Sequence, residues 1–218
     1  MSDLADRLAA VTAGVADAAR EAGRDPASIT TVVVTKFQPA SMIRELHELG
    51  VRDFGESRHQ EAQAKVAELT ELDARWHFVG QLQSKKARQV ASYIDVVHSF
   101  DREALVGGLA GRDVFIQVNL TDDPARGGVN PDGIDALAEA ATGGGLRVLG
   151  LMAVAPLGAE PRAAFESVRG MSERLVTSLP EASALSLGMS GDYREAILEG
   201  ATHLRIGTAI TGNRPTQG

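Results

Sequence analysis

Short apolar segments alternate with helical segments along the chain, and this alternation limits the possible folds more than any other feature. Eight segments are predicted as strands. The first, Ile29–Phe37, is a β-branched run without polar alternation, as in parallel strands buried on both faces. The others are Asp53–Glu56, Trp76–Gly80, Ile94–Ser99, Val114–Leu120, Arg147–Met152, Leu185–Leu187 and His203–Ile206. Eight βα units in 218 residues predict an α/β fold, a compact (β/α)8 barrel of the TIM type.

An open doubly wound sheet is the alternative arrangement of alternating strands and helices. No G-x-G-x-x-G sequence follows the first predicted strand, which disfavours a dinucleotide-binding version of that sheet. An extra helix is predicted before the first strand, capped by Ser2, because apolar residues form one helical stripe at Leu4, Leu8, Val11 and Val15. No linker rich in Pro, Gly or Ser divides the chain, so we expect residues 1–218 to form a single domain.

Composition excludes several classes of protein. The chain contains no Cys, which removes disulfide scaffolds, Cys-ligated zinc sites and thiol nucleophiles. The formal net charge of −7 disfavours a general nucleic-acid binder. Charges interrupt Met1–Arg20, so no export signal is expected, and the longest weakly polar stretch, Val148–Ala159, is too short to span a bilayer. We therefore expect a cytoplasmic protein that binds neither nucleic acid nor membrane.

The carboxyl ends of the strands are where a barrel of this type places its functional residues. The first predicted strand brings Lys36 to that face, where a desolvated amine could attack a carbonyl group. The alternative is a strand-end lysine that extends into solvent. His77 and Met152 lie near the ends of the third and sixth predicted strands, where packing is the simpler interpretation of both.

The loops after the last two predicted strands have the pattern of a phosphate site. The sequence Ser-Gly-Asp at 190–192 follows the seventh strand, and Gly-Thr at 207–208 follows the eighth. Glycine lets an anion approach backbone N–H groups closely, and the hydroxyl groups add donors. Helix capping by Asp192 and Glu195 as a D-x-x-E box is the alternative for the first loop, but it does not require Gly-Thr at the neighbouring strand end.

An amine at one strand end and a phosphate site at others suit a ligand with an aldehyde at one end and a phosphate at the other. Pyridoxal 5′-phosphate (PLP) is such a ligand. Arg205 on the last strand would then face the pyridine nitrogen and keep it unprotonated, because arginine does not give up its proton. A strand-end salt bridge is the alternative for Arg205. A sugar-phosphate enzyme with Lys36 as an aldolase-type amine also fits these residues.

Six segments spread over nearly the whole chain match one known family in order. They are VVVTKF around Lys36, DFGESRHQEAQAK from Asp53, WHFVGQLQSKKAR from Trp76, GLMAVAP from Gly150, LSLGMSGDYREAILEGATHLRIGTAI from Leu185, and GNR at Asn213. Through them the chain resembles the pyridoxal phosphate homeostasis proteins, the YggS/PROSC family, which are relatives of the barrel domain of alanine racemase.

The resemblance implies a fold-type III PLP-binding barrel with Lys36 as the Schiff-base lysine. Three residues match the phosphate contacts of the family: Ser190, Gly207 and Thr208. Arg205 matches the arginine at the ring nitrogen, and His77 and Met152 match positions in the pocket wall. No residue is assigned a catalytic role, and none is assigned to a metal.

Two positions depart from the family pattern. Ser57 stands where the family usually has Asn after Gly-Glu, so a side-chain contact to the cofactor there is expected to be shortened or bridged by water. The family often has Asn at the position just before Lys86, where this chain has Lys85. Neither change affects the Schiff-base lysine or the phosphate contacts.

The function implied by the resemblance is PLP homeostasis: holding PLP on a lysine without strong turnover, with PLP-dependent apoenzymes as possible recipients. A PLP-dependent amino-acid racemase is the alternative. Racemases of the alanine racemase type add a β-domain and a Tyr from a partner subunit, whereas this chain ends soon after the eighth strand and has only Tyr93 and Tyr193. We expect a monomer, because a closed barrel leaves no free sheet edge.

Overall fold

A computed structural model describes residues 3–213 of the chain. Ser2, the predicted helix cap, and Arg214, the last residue of the GNR segment, lie outside the described residues. Eight parallel strands pair in chain order, and β8 pairs with β1 to close the ring. The strands are β1 (Thr30–Val34), β2 (Asp53–Glu56), β3 (Arg75–Phe78), β4 (Val96–Phe100), β5 (Asp113–Gln117), β6 (Arg147–Met152), β7 (Ala184–Ser186) and β8 (His203–Ile206). The predicted (β/α)8 barrel is confirmed.

Helices surround the barrel and connect its strands. The α-helices of the described residues are α1 (Asp3–Glu21), α2 (Ala40–Glu48), α3 (His59–Glu68), α4 (Ala87–Ala91), α5 (Val106–Leu109), α6 (Ile134–Gly143), α7 (Pro161–Ser178), α8 (Tyr193–Leu198) and α9 (Thr208–Thr211). The predicted extra helix before the first strand is α1, whose buried stripe contains Leu4, Val11 and Val15. In the part of the chain from 3 to 213, no helix has the length and apolar composition needed to cross a membrane.

Two of the connections between strands contain only short helices. They each begin with a 3-10 turn, Ser84–Lys86 or Glu103–Leu105, and continue as α4 or α5. A Cβ atom on Gly108 would lie 2.5 Å from the Cβ atom of Ala87. The two short helices therefore pack almost backbone to backbone, which glycine permits.

The apolar core has two parts. The larger part lies between the strands and the surrounding helices and includes Val33, Phe54 and Phe165. The smaller part, a cluster of Val96, Phe115 and Met152, is separate from it. Buried polar side chains of the strands lie beside this smaller cluster: the rings of His98 and Phe115 are 4.7 Å apart. Such polar groups need hydrogen-bond partners.

Candidate functional site

Lys36 lies two residues after the end of β1, in a turn at the carboxyl-terminal face of the barrel, and its side chain is exposed. The next residue, Phe37, has a φ of 67°, a left-handed conformation that is uncommon for an aromatic residue. The chain therefore turns sharply after the strand. Lys36 is thus placed at the barrel mouth, as predicted from its position in the sequence.

A buried ion-pair network stabilises this turn. The amine of Lys65 on α3 donates to the carbonyl oxygen of Thr35 at 2.8 Å, to Oε1 of Glu56 at 2.7 Å and to Oε1 of Glu61 at 2.6 Å. Glu61 also accepts the backbone N–H of Phe37. Burial raises the pKa of Glu56. Sequence reasoning missed this network; the four-residue spacing of Glu61 and Lys65 on one helix was its visible signal.

The loops after β7 and β8 meet, as the prediction of a shared phosphate site requires. The hydroxyl oxygen of Ser190 accepts the backbone N–H of Ala209 at 3.3 Å, which joins the two loops. Gly207 precedes α9, and Thr208 is its exposed first residue. Asp192 accepts the N–H of Met189 at 2.6 Å and makes no capping bond to α8, so the D-x-x-E cap does not form. Its carboxylate closes the loop instead.

Arg205 lies on β8 and is almost fully buried. Its Nη1 donates to the carbonyl oxygen of Ser186 at 2.6 Å and to the hydroxyl oxygen of Ser186 at 2.7 Å, and its Nη2 donates to the carbonyl oxygen of Ala153 at 2.9 Å. Burial lowers its pKa to about 10, so it remains a cation at neutral pH. Within residues 3–213 no carboxylate forms an ion pair with Arg205, which removes the salt-bridge alternative for the described part of the chain.

His77 and Met152 are both buried. His77 contacts Asp53 through Nε2 and His98 through Nδ1, each at 2.9 Å. Both ring nitrogens of His77 are therefore already partnered. Met152 ends β6 and packs with Val96 and Phe115. Their assignment to the pocket wall stays a prediction.

Ser57 follows β2 and is half-buried beside the end of β3. A Cβ atom on Gly80 would lie 2.3 Å from the carbonyl oxygen of Ser57, so only glycine fits there and the two loops are in close contact. The Ser57 hydroxyl makes no side-chain hydrogen bond to another described residue between 3 and 213, which leaves it available to a ligand or to water.

Comparison with known proteins identifies the family. The family model described as alanine racemase, N-terminal domain, matches residues 7–215. The pyridoxal phosphate homeostasis protein of Pseudomonas aeruginosa is 42% identical over 223 residues, covering 98% of this chain and 97% of the relative. The structure of PipY from Synechococcus elongatus with PLP bound is 36% identical with a TM-score of 0.83, covering 96% of this chain and 100% of PipY.

Alanine racemase from Corynebacterium glutamicum is a more distant match. It is 16% identical with a TM-score of 0.69, and the match covers 97% of this chain but 62% of the racemase. At this identity the likeness shows the barrel fold alone. The match of the family model and the 42% identity over almost the full chain decide the assignment. The chain belongs to the alanine racemase N-terminal domain family and, within it, to the pyridoxal phosphate homeostasis proteins.

Proposed function

We propose that this protein holds PLP as a Schiff base on Lys36 and carries or releases it in the cytoplasm, without strong turnover of its own. The main support for the proposal is that β1 and β8 are neighbours in the closed barrel. Lys36 after β1 and the Gly207-Thr208 loop after β8 therefore leave the same mouth side by side. When bound, PLP supplies an aldehyde that a lysine amine can attack and a phosphate that N–H and O–H groups can hold.

Lys36 is chosen as the attachment site by comparison with the few other lysines of the chain. The sequence contains four, Lys36, Lys65, Lys85 and Lys86. Lys65 is buried and its amine makes three hydrogen bonds, so it is not free for covalent attachment. Lys85 and Lys86 lie in the 3-10 turn after β3. Lys36 is exposed and adjoins the β8 loop.

The phosphate end of the site would be formed by Ser190, Gly207 and Thr208. The bond between Ser190 and Ala209 holds the two loops at a fixed separation before any ligand enters. Gly191, next to Ser190, has no atom within 4 Å of the place its Cβ atom would occupy, so the loop is open to an approaching group. Hydroxyl and backbone N–H donors to a phosphate form charge-assisted hydrogen bonds, which are stronger than neutral ones.

Several side chains support the absence of strong turnover. Racemisation needs one proton-transfer group on each face of the bound amino acid. The hydroxyl of Tyr93 contacts Nδ1 of His59 at 2.8 Å, and burial raises the pKa of Tyr93 to about 12. Tyr193 packs against Gly14 on α1, outside the barrel. The cation of Arg205 would disfavour protonation of the ring nitrogen, and an unprotonated ring stabilises a carbanion poorly.

Attachment is tested with purified protein incubated with PLP and reduced with borohydride. We expect a visible absorbance band that disappears on reduction, and an adduct that peptide mass spectrometry places on Lys36. Lys36→Ala should lose that adduct from the corresponding peptide, whereas the matched control Lys85→Ala should retain it. An adduct of the unsubstituted protein at Lys85 or Lys86 alone would overturn the assignment.

Turnover is tested by deuterium incorporation at Cα of alanine and serine in heavy water with PLP-loaded protein. We expect exchange far below ordinary enzyme rates, which are about 1 per second or faster. Exchange at such rates would make the protein an enzyme.

Release is tested by mixing PLP-loaded protein with the apo form of a PLP-dependent transaminase and following the return of transaminase activity. We expect this activity to exceed that in a control without loaded protein.

A further inference from the structure

A continuous chain of hydrogen bonds crosses the interior of the barrel from β2 to β8. Asp53 contacts Nε2 of His77 at 2.9 Å, and Nδ1 of His77 contacts Nε2 of His98 at 2.9 Å. Nδ1 of His98 contacts the hydroxyl of Ser186 at 2.8 Å, although the two residues are 88 positions apart. The same hydroxyl accepts from Nη1 of Arg205 at 2.7 Å. A carboxylate therefore ends the chain on one side and a guanidinium ends it on the other.

The two ends determine the direction of every bond between them. An ionised carboxylate can only accept, so His77 carries its proton on Nε2 and accepts on Nδ1. His98 must then donate from Nε2 and accept on Nδ1, which requires the hydroxyl of Ser186 to donate to it. Arginine can only donate, so the lone pair of the Ser186 oxygen receives Nη1 of Arg205. Every donor in the chain points from Arg205 towards Asp53.

Burial protects this arrangement from exchange with water. His77, His98 and Ser186 are fully buried, and burial lowers the pKa of both histidines, so both are neutral at pH 7. Phe115 covers one ring of the pair, with its centroid 4.7 Å from that of His98. Asp53 is the partly exposed end, at the amino-terminal mouth of the barrel. Reversing one bond would leave a buried group without a partner, which is costly.

The chain also limits how Arg205 can be oriented. Both N–H groups of Nη1 and one of Nη2 are used by Ser186 and Ala153. Among residues 3–213 the Nε–H group of Arg205 donates no side-chain hydrogen bond, so it is one of the donors left for a ligand. The hydroxyl of Ser186 cannot rotate away, because it is itself fixed by His98.

We propose that Asp53, His77, His98 and Ser186 are positioning residues for Arg205, holding its charge and its free Nε–H group in one orientation towards the pyridine nitrogen of PLP. This inference rests on the proposed function for its ligand. It extends the site from the mouth through the barrel to the opposite end, and it gives the buried polar residues of β2, β3, β4 and β7 a common role.

The first test needs no cofactor. Nitrogen-15 NMR of the histidine rings in cofactor-free protein should show His77 and His98 as neutral Nε2–H tautomers at pH 7. Asp53→Asn should disturb both tautomers, because an amide can donate as well as accept. The matched control is Asp95→Asn, which removes a second carboxylate whose charge acts on His77 but whose hydrogen bond goes to the N–H of Trp76 and not to the chain. An Nδ1–H tautomer or an imidazolium at either histidine of the unsubstituted protein would overturn the chain.

The second test uses PLP labelled with nitrogen-15 in the ring. We expect the ring resonance of the bound cofactor to move towards that of protonated pyridine in Ser186→Ala and Asp53→Asn, and to stay in place in Asp95→Asn. Ser186→Thr, which keeps the hydroxyl, should restore the original resonance. Unchanged resonances in both folded variants, Ser186→Ala and Asp53→Asn, would overturn the link to Arg205. Failure of the unsubstituted protein to bind PLP would instead overturn the proposed function. The tautomers of His77 and His98, measured without cofactor, would still show whether the hydrogen-bond chain exists.

Discussion

Lys65 has an environment unlike that of a typical lysine, since its amine is buried between two carboxylates and a backbone carbonyl. Lys65→Met should leave Glu56 and Glu61 without their cation. Removing one partner of a buried ion pair costs about 3–5 kcal/mol of the free energy of unfolding. We expect that loss near pH 8, measured by urea denaturation. Lys85→Met, at an exposed position, is the matched control and should unfold like the unsubstituted protein.

The loss in Lys65→Met should also depend on pH. Burial raises the pKa of Glu56, whereas Lys65 acts to lower it. Without Lys65 that pKa rises further, so the folded state binds a proton more readily than the unfolded state. Stability then increases as the pH falls through the raised pKa. The deficit relative to the unsubstituted protein should be smaller at pH 5 than at pH 8, and an equal deficit at both would contradict the explanation.

Ser190 and Thr208 are expected to supply part of the affinity for PLP through the phosphate. Ser190→Ala and Thr208→Ala should each weaken PLP binding by about 1–3 kcal/mol, the usual cost of an unmade hydrogen bond to a charged group. The measurement is a fluorescence titration with PLP and, separately, with pyridoxal. Pyridoxal lacks the phosphate, so its weaker binding should hardly change in either variant. Equal binding of PLP and pyridoxal by the unsubstituted protein would refute the phosphate site.

The residues of the mouth were easier to predict than the residues beneath it. Lys36, Ser190 and Thr208 lie two to four residues after strands, so the rule that barrel sites lie at carboxyl strand ends predicts their position at the mouth. His98 and Ser186 are 88 residues apart and meet only because the barrel closes. No local pattern contains such a contact, and the polar chain they form was therefore missed.

Among the elements, the turn from β7 to α8 depends on the conformation of one glycine. Gly188 has a φ of 83°, and a Cβ atom there would lie 2.7 Å from the Cβ atom of Ala196 on α8. Gly188→Ala should lower stability by about 1–3 kcal/mol through backbone strain and should displace the Ser190 loop. Gly170→Ala on α7 is the matched control, because its Cβ atom would meet nothing within 4 Å and it lies outside the phosphate loops. Thermal unfolding and PLP titration of both variants provide the check, and equal behaviour would contradict it.

Element order was predictable from the sequence, but element length was less so. The apolar run of β1 was recognised, yet the strand ends at Val34 because the chain turns at Lys36 and Phe37. The helix α9 was not predicted, since four residues are too few to show a helical period. Lengths are set by packing between elements, which a local pattern does not contain.

For the whole molecule, we expect a monomer. Every strand of the barrel has two neighbours, so the sheet offers no edge to a second copy. A monomer of this length should have a radius of gyration of roughly 17 Å. Small-angle X-ray scattering and light scattering at low micromolar concentration are the measurements. A stable dimer would contradict the expectation and would revive the racemase alternative.

The single-domain prediction is checked by whether thermal unfolding occurs in one transition.

The pairing of β1 with β8 has a consequence for the order of synthesis. Lys36, the proposed attachment lysine, leaves the ribosome early, whereas the two loops that would hold the phosphate are made only after β7 and after β8. A nascent chain therefore carries the reactive amine long before it can retain the cofactor. Stable binding of PLP would therefore require that translation has reached the last strand. Ribosome-stalled chains that end before β7 should not retain PLP.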